Sequence, residues 1–513
     1  MLDIIRNFKN KSSKGDDEFS AALILKYIDF FLNPLTFFFN QFIARSSFPS
    51  CLKLTRVKPL YKKGNTRDMN NYRPISLTSV FSRIFEKLIA NKLIEYLETN
   101  NIISASQFGY RGSLSTADAI TFVIEKIISS LNEKLSTVGI FLDLSKAFDS
   151  VNFNILECLF TKIGIDAPTI KLLNSFLSNR QQYVFLKKGN VEHRSNLLSP
   201  RCGVPQGTVL GPLFFILYVN FFPSLFGAHD ISMFCDDTTL LYSSPSVSEN
   251  EIRINTSLNA FIQVLSGFNL CTNIEKTKFL NFSQNKGPLS VWIDDREIER
   301  VDSLPFLGVH IDGKLEWNIH VQNVLSRLSS SLYLLRRISQ ICNSKSAILA
   351  YHSIFHSILS YCLIIYGATT KGNLDKILKI QKKALRTIFN LKQNTSCVPF
   401  FKQNNILTVY AQYVFQLLKF IKKNSNSFPA VGNSHEHNTR HGHLLKSNNV
   451  AKNKLTEKLP GAAGVKFFNK IPKQITLLNE KKFLKVIKSH LIESVPYSLV
   501  EAEICLESVQ LLD

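Results

Sequence analysis

The run Phe234-Cys235-Asp236-Asp237-Thr238-Thr239-Leu240-Leu241 constrains this chain more than any other stretch. Two adjacent acids lie between an apolar run (Ile231, Met233, Phe234) and a second one (Leu240, Leu241, Tyr242). That pattern predicts two short strands joined by a tight turn, because the short Asp side chain suits turn geometry. Neighbouring side chains of a flat strand point to opposite faces. A turn instead brings both carboxylates toward one spot, where a cation offsets their repulsion. The plain alternative is an ordinary acidic hairpin turn, so the surroundings have to decide.

A third acid supplies that context. Residues 137–142 form a short apolar run (Val138, Ile140, Phe141, Leu142) ending at Asp143. An unpaired charge at the end of a buried strand is costly, so a carboxylate there calls for a cation or a cage of hydrogen bonds. Asp143 precedes Asp236 and Asp237 by about 90 residues, and acids at two strand ends suit a site on a central sheet. Oxygen-only ligation by three carboxylates suits magnesium, which leaves places for substrate phosphates. Two such ions activate an attacking hydroxyl and stabilise the leaving oxygen of an in-line phosphoryl transfer.

Composition narrows the partner. A formal net charge of +22 over 513 residues, with a pI of about 9.5, favours polyanions: nucleic acid or an anionic membrane surface. With 45% hydrophobic and 19% charged residues, the chain is globular, with roughly two to four domains. The nine cysteines show no Cys-x-x-Cys pair or zinc-knuckle spacing, so they are expected to be reduced, mostly buried thiols of an intracellular protein. Residues 1–15 are polar and charged, which excludes a secretory signal there. The apolar stretches 21–44 and 347–367 carry Lys26, Asp29, Pro34, His352 and His356, and fit amphipathic core helices better than membrane spans. A soluble protein is expected.

Along the chain, residues 1–50 are expected to be helical, with Leu23, Tyr27, Phe30 and Phe31 on one face and an interruption at Pro34. A basic strand over 52–61 leads through a loop to Tyr72, and a helix covers 79–97. Ser115-Thr116-Ala117-Asp118 caps a helix reaching about residue 131. Helical sequence continues from Asp143 to about 176, followed by a strand pair near 182–185 and 191–198. A buried helix is expected over 213–222 and another over 248–269, with strands at 276–282, 290–293 and 306–312. From Trp317, the spacing of Val321, Val324, Leu328, Leu332, Leu335 and Ile338 predicts a long amphipathic helix. An α+β core of about 300 residues precedes a basic helical tail.

Seven runs, in order, resemble the reverse transcriptases of non-LTR retrotransposons, nearest to jockey-like elements. They are Lys58-Pro59-Leu60-Tyr61-Lys62-Lys63-Gly64, Tyr72-Arg73-Pro74-Ile75-Ser76-Leu77, Gln107-Phe108-Gly109-Tyr110-Arg111, and Phe141-Leu142-Asp143-Leu144-Ser145-Lys146-Ala147-Phe148-Asp149. Gly203-Val204-Pro205-Gln206-Gly207-Thr208-Val209-Leu210-Gly211-Pro212, Phe234-Cys235-Asp236-Asp237 and Phe306-Leu307-Gly308 complete the set. Any one alone is weak; their joint order and spacing carry the resemblance, over about residues 20–340.

The resemblance implies a right-hand polymerase fold of α+β class, with fingers, an antiparallel palm sheet with packed helices, and a helical thumb. The corresponding division is 1–50 as an N-terminal helical extension, 51–312 as fingers and palm, 313–370 as thumb, and 371–513 as a basic helical C-terminal region. It also implies DNA synthesis from dNTPs on an RNA or DNA template with a DNA primer, dependent on two Mg2+ ions, with Mn2+ as a substitute. Asp143, Asp236 and Asp237 match the catalytic, metal-holding acids. The first two would bridge both ions, and Asp237 would have a lesser, geometric part. The family usually has Tyr-Ala before the paired acids; here Phe234 and Cys235 stand there, which puts primer-end positioning rather than metal binding in doubt.

Phe148 matches the bulky residue under the incoming sugar, a wall where a 2′-OH would go; the alternative is a core aromatic. Asp149 beside it reads as structural. Gln206 and Gly207 match the loop beneath the nascent pair, where Gly permits close backbone approach. Arg73 with Lys62 or Lys63 matches finger cations on the triphosphate, the lysines being equally readable as a solvated charge run. Arg111 reads as a template or nucleotide contact or as a surface residue. Lys276 matches the proton donor to departing pyrophosphate, against an ordinary surface lysine. His310 reads as a packed histidine before a primer contact. The cluster His435, His437, His441 and His443 reads as a nucleic-acid-contacting loop ahead of a zinc site. The lysines of the tail, with Arg336 and Arg337, would contact phosphates.

Relatives of this class usually carry an endonuclease ahead of the polymerase. Only about 50 residues precede the fingers here, so the expectation is a truncated reading frame with target cleavage supplied elsewhere or absent. Intact polymerase runs favour a competent enzyme; a catalytically silent nucleic-acid-binding remnant is the alternative, and a two-metal nuclease is more distant. A nuclear location follows only from the family's habit of copying into chromosomal DNA.

Overall fold

The apolar run ahead of Asp143 becomes the middle strand of a five-stranded sheet, Ser136–Leu142, buried along almost its whole length. The computed structural model describes residues 1–8, 14–112, 114–226, 231–283, 287–429, 444–446 and 455–510. In this palm sheet the order is Glu299–Arg300, Lys278–Asn281, Ser136–Leu142, Asp237–Ser244, Ile231–Phe234. All its pairings are antiparallel except that of the two outermost strands on the Lys278 side. Burial on both faces explains why Ser136–Leu142 reads as a continuous apolar run instead of an alternating one.

Helices cover the sheet. Val80–Thr99 starts at Ser79, whose hydroxyl accepts the Phe81 N–H at 3.1 Å. Thr116–Asn132 starts at a capping box, with Ser115 N–H donating to Asp118 Oδ2 at 2.8 Å and Asp118 N–H to Ser115 Oγ at 3.4 Å. Leu210–Val219 is buried all round apart from Pro212, as its unbroken apolar sequence requires. A second, basic sheet stands apart in the order Tyr72–Leu77, Leu54–Tyr61, Gln181–Lys188, Val191–Arg194. The architecture is α+β: a largely antiparallel five-stranded sheet with packed helices, a second four-stranded sheet, and a helical C-terminal part.

Two local expectations are corrected. Pro34 does not interrupt its helix: Ile28–Ala44 runs through it, and the chain bends at Tyr27 instead (φ −117°, ψ 35°). The carbonyl left without an N–H partner belongs to Phe30, which is 78% exposed, so water can take that bond. Residues 306–312 are not one strand but the end and return of a hairpin, Ser303–Phe306 against Val309–Asp312. Leu307 (φ 46°) and Gly308 (φ 81°) make its two-residue turn, both in the left-handed region that such hairpins need. The Tyr361 hydroxyl holds this turn by donating to Leu307 O at 2.6 Å.

The long helix foreseen after Trp317 spans Asn318–Ile341. It packs along Lys371–Ile388, and one buried cluster runs without a break through Leu328, Tyr351, Leu374, Leu385, Tyr410 and Ile487. Gln381, wholly buried, ties three segments: its Nε2 donates to Tyr351 OH and Leu407 O at 2.9 Å, and its Oε1 accepts Val409 N–H at 2.9 Å. The N-terminal residues Ile5, Ile24, Phe39 and Phe48 join the palm core, with the Phe39 ring stacked 4.7 Å from that of Phe85. All nine cysteines are free thiols, but only Cys235, Cys362, Cys397 and Cys505 are buried, which corrects the expectation of mostly buried thiols. Among the described residues no helix is long and apolar enough to cross a membrane.

A chain cut after residue 370 loses the helical cover over Leu328, Leu335 and Tyr351, so it is expected to aggregate on size-exclusion chromatography where the full chain stays soluble. A truncated chain that melts cooperatively would contradict the single shared core.

Candidate active site

Strand register assembles the acids. Leu142 stands opposite Thr238 in the palm sheet, so one step further Asp143 stands across from Asp237. Phe234 pairs with Asp237 across the adjoining hairpin, which leaves Cys235 and Asp236 as its two-residue turn, with Cys235 at φ 62°. A sheet end and a turn thus bring Asp143, Asp236 and Asp237 to one edge of the palm, as the spacing in sequence anticipated.

Their electrostatics follow from that crowding. Asp236 and Asp237 are exposed, yet the surrounding protein strips enough water from them to disfavour charge. Desolvation is the main cause that raises the Asp237 carboxyl to about 6, with Asp236 and Asp143 adding repulsion and Lys62 opposing. Asp236 is raised for the same first reason, with Asp143 adding to it and Arg73 and Lys62 lowering it. Lys276 Nζ stands 3.6 Å from Asp143 Oδ2, an ammonium where the acids call for positive charge. Asp143 is fixed through its backbone: its carbonyl accepts Asn273 N–H at 2.7 Å, and its N–H donates to Thr277 Oγ1 at 3.3 Å. Among the described residues no three carboxylate, imidazole or thiolate groups close into an ion cage unaided. The donor set still fits magnesium, which binds through one or two carboxylates and fills its other places with water and substrate phosphates.

The basic sheet supplies the opposing wall. Leu60 pairs with Arg73, and Lys62 N–H donates to Asn71 O at 2.9 Å, so Lys62 and Arg73 leave neighbouring strand ends toward Asp236. Lys63 is exposed beside them. Arg111 is turned elsewhere: Nη2 and Nε bind Glu98 at 2.7 and 2.9 Å, and Nη1 reaches Ser104 O at 3.4 Å. A bidentate partner of this kind occupies the fork that a phosphate would use.

Between the walls lie Phe148 and the 203–208 turn. The half-buried Phe148 ring stacks on Phe215 (4.7 Å, 21°), and its carbonyl accepts Val204 N–H at 2.8 Å. Gln206 O accepts Ser76 N–H at 2.7 Å, and Gln206 Nε2 reaches Asp149 Oδ1 at 3.4 Å. Gly207 adopts φ 106°, and a Cβ there would sit 2.9 Å from Ser76 O, so glycine is required both by conformation and by space. Asp149 has no place among the acids; burial raises its carboxyl and the Gln206 amide works against that.

One supporting residue escaped the sequence reading. Glu86, wholly buried, accepts the Val209 and Leu210 N–H groups at 2.7 and 3.2 Å on Oε2, and the Ser82 hydroxyl at 2.9 Å on Oε1. It caps the buried Leu210–Val219 helix directly behind the Gln206-Gly207 turn. Burial pushes its carboxyl up, opposed by the buried Arg180 guanidinium. The signal was an acid on the buried stripe of Ser82, Ile89, Ala90 and Leu93. His435, His437, His441 and His443 lie outside the described residues.

Residues 60–311 match the model of the reverse transcriptase (RNA-dependent DNA polymerase) family. The chain is 29% identical over 396 residues to a probable RNA-directed DNA polymerase from transposon X-element of Drosophila melanogaster, a match covering 75% of this chain and 43% of that protein. It is 28% identical over 402 residues to the RNA-directed DNA polymerase from mobile element jockey of the same fly, again 75% of this chain and 43% of the other. The chain therefore spans less than half the length of these relatives. A solved structure of apo telomerase from Candida tropicalis aligns with 77% of this chain and 71% of its own, at 16% identity and a TM-score of 0.41.

Asp237 gives a pH prediction. Its carboxyl titrates near 6 in the folded chain against an ordinary 3.8, so its ionisation opposes folding above pH 6, and that opposition fades as pH falls toward 3.8. Asp237→Asn is expected to raise the metal-free thermal midpoint at pH 7.5 by about 1–3 °C. The gain should shrink between pH 6 and 4 in a pH series of thermal melts.

Proposed function

We propose that this chain, whose residues 60–311 form a reverse transcriptase domain similar to those of jockey-like non-LTR retrotransposons, extends a DNA primer from dNTPs on an RNA or DNA template. The carrying observation is the strand register that sets Asp143 across from Asp237 and beside Asp236, facing Arg73 and Lys62. Asp143, Asp236 and Asp237 would hold two magnesium ions, with manganese able to substitute. When bound, the metal lowers the pKa of the primer 3′-OH and stabilises the departing pyrophosphate oxygen.

The chain's own groups do the rest. Arg73 offers a planar fork and Lys62 a point charge to the triphosphate. Phe148, braced on Phe215, walls off the space of a 2′-OH and so favours deoxynucleotides. Gln206, held by Ser76 and Asp149, presents its backbone and amide beneath the nascent pair. As the primer 3′-OH gives up its proton to water, its oxygen bonds to the α-phosphorus and the bond to pyrophosphate breaks, Lys276 beside Asp143 can give its own proton to the leaving group. The net charge of +22 favours the template and primer backbones. A nuclear site of action is proposed with this reading, on the family's habit of copying into chromosomal DNA.

Primer extension on a primed RNA template tests this. Wild-type protein should incorporate dNTPs with magnesium, and Asp236→Ala should lose roughly a thousandfold or more of the rate. Phe148→Ala should weaken discrimination against ribonucleotides by roughly 10- to 100-fold. No incorporation by folded wild-type protein, with magnesium and manganese both tried, would overturn the proposal.

A further inference from the structure

The turn that carries the paired acids is not held by its own hairpin alone. Cys235 adopts φ 62°, a left-handed conformation that is unfavourable for a non-glycine residue and persists only where neighbours impose it. Its N–H donates across to Gln107 Oε1 at 3.1 Å, and the same oxygen accepts the Gly109 N–H at 2.9 Å. Two N–H groups converging on one atom settle the orientation of the amide, since a flipped Nε2 would face two donors.

Gln107 is wholly buried, and its Nε2 has no hydrogen-bond partner among the described residues. Burying an unpaired amide N–H is unfavourable, so an apolar side chain would serve packing better. What the amide supplies is the accepting oxygen. The backbone around it is set just as closely. Met233 N–H donates to Ser106 O and Phe108 N–H to Met233 O, both at 2.8 Å, which adds residues 106–108 to the free edge of the acid hairpin as a parallel rung. A Cβ on Gly109 would lie 2.7 Å from Cys235 N, so the approach leaves no slack. The segment is tied back to the palm by the Arg111–Glu98 pair and by Asn220, whose Oδ1 accepts Ser104 N–H at 2.9 Å.

We propose that Gln107 is a positioning residue for the acid pair. By holding the Cys235 N–H it fixes the direction in which Asp236 and Asp237 leave the turn, and so sets the site's affinity for divalent metal, touching neither metal nor nucleotide. This also gives Arg111 a structural part, as the anchor of the segment that bears Gln107. The inference rests on the metal-dependent reading of the acids above, and its test separates the two.

Mn2+ binding is measured by the electron paramagnetic resonance signal of the free ion, in the presence of primed template, for wild type, Asp236→Ala, Gln107→Met and Gln107→Glu. Gln107→Met keeps length and loses the acceptor; it should weaken Mn2+ binding roughly tenfold. The half-saturating Mg2+ concentration in primer extension should rise by the same factor, with the KM for primed template unchanged. Gln107→Glu, which stays protonated in that burial and keeps an accepting oxygen, should restore binding to within about twofold of wild type, well inside the tenfold loss. A purely structural role would lower the folded fraction and leave both metal midpoints where they are. Equal Mn2+ affinity in Gln107→Met and wild type, with Asp236→Ala weakened, overturns the inference alone. Wild type binding no better than Asp236→Ala overturns the metal reading beneath it. Should Gln107→Met not fold, Gly109→Ala, which presses on the same Cys235 N–H, is read by the same two midpoints.

Discussion

Everything at the proposed site depends on one antiparallel register. Ser136–Leu142 and Asp237–Ser244 pair so that Leu142 meets Thr238, and a slip of one residue would turn every side chain of the second strand to the opposite face. The register is protected by burial: Val138, Ile140, Leu142, Leu240, Leu241 and Tyr242 are all core residues. Because both faces are buried, a slip would force both to repack, and that cost guards the placement of polar groups at the sheet's end. Packing and chemistry are coupled there, because the residues that stabilise the sheet are those that aim the acids.

Charge is arranged against this frame. Three carboxylates at one edge repel, and the solvent that would screen them is thinned by surrounding protein, so the ionised pair is held at a cost. Lys62 and Arg73, from one sheet end, and Lys276, beside Asp143, offset part of it. Under the proposed function such a site would draw in divalent cations, and the positive charge elsewhere would draw in the polyanions that bring them. The Gln206-Gly207 turn is stabilised from behind by a different device, the buried Glu86 at the head of the Leu210–Val219 helix. Both halves of the site thus rest on buried polar groups: Glu86 under the Gln206-Gly207 turn, and Gln107 under the acid turn.

Features governed by neighbouring residues were legible in the sequence. The acid hairpin, the apolar strand ending at Asp143, the Ser115–Asp118 capping box and the helix after Trp317 follow from local periodicity and local hydrogen bonds. What escaped was decided at a distance. Pro34 continues its helix because the orphaned carbonyl at Phe30 faces water, and exposure is a tertiary property. The strand expected over 306–312 folds back at Leu307, in a conformation unusual for leucine that Tyr361 helps to hold. Gln107 contacts a residue 128 positions away and Glu86 one 123 positions away; neither contact leaves a mark beyond a polar residue in an apolar setting. Arg111 shows the converse: a motif position can supply an anchor as readily as a ligand contact.

The central claim is that Asp143 and Asp236 share divalent ions at one end of the palm sheet. A crystal of the protein with primed template, soaked in manganese, tests it most directly through anomalous scattering. The account predicts a peak at about 2.1 Å from carboxylate oxygens of both residues, as oxygen ligation of a small divalent ion requires. Carboxylates of 143 and 236 standing well apart, with manganese bound elsewhere or by one of them alone, would contradict it.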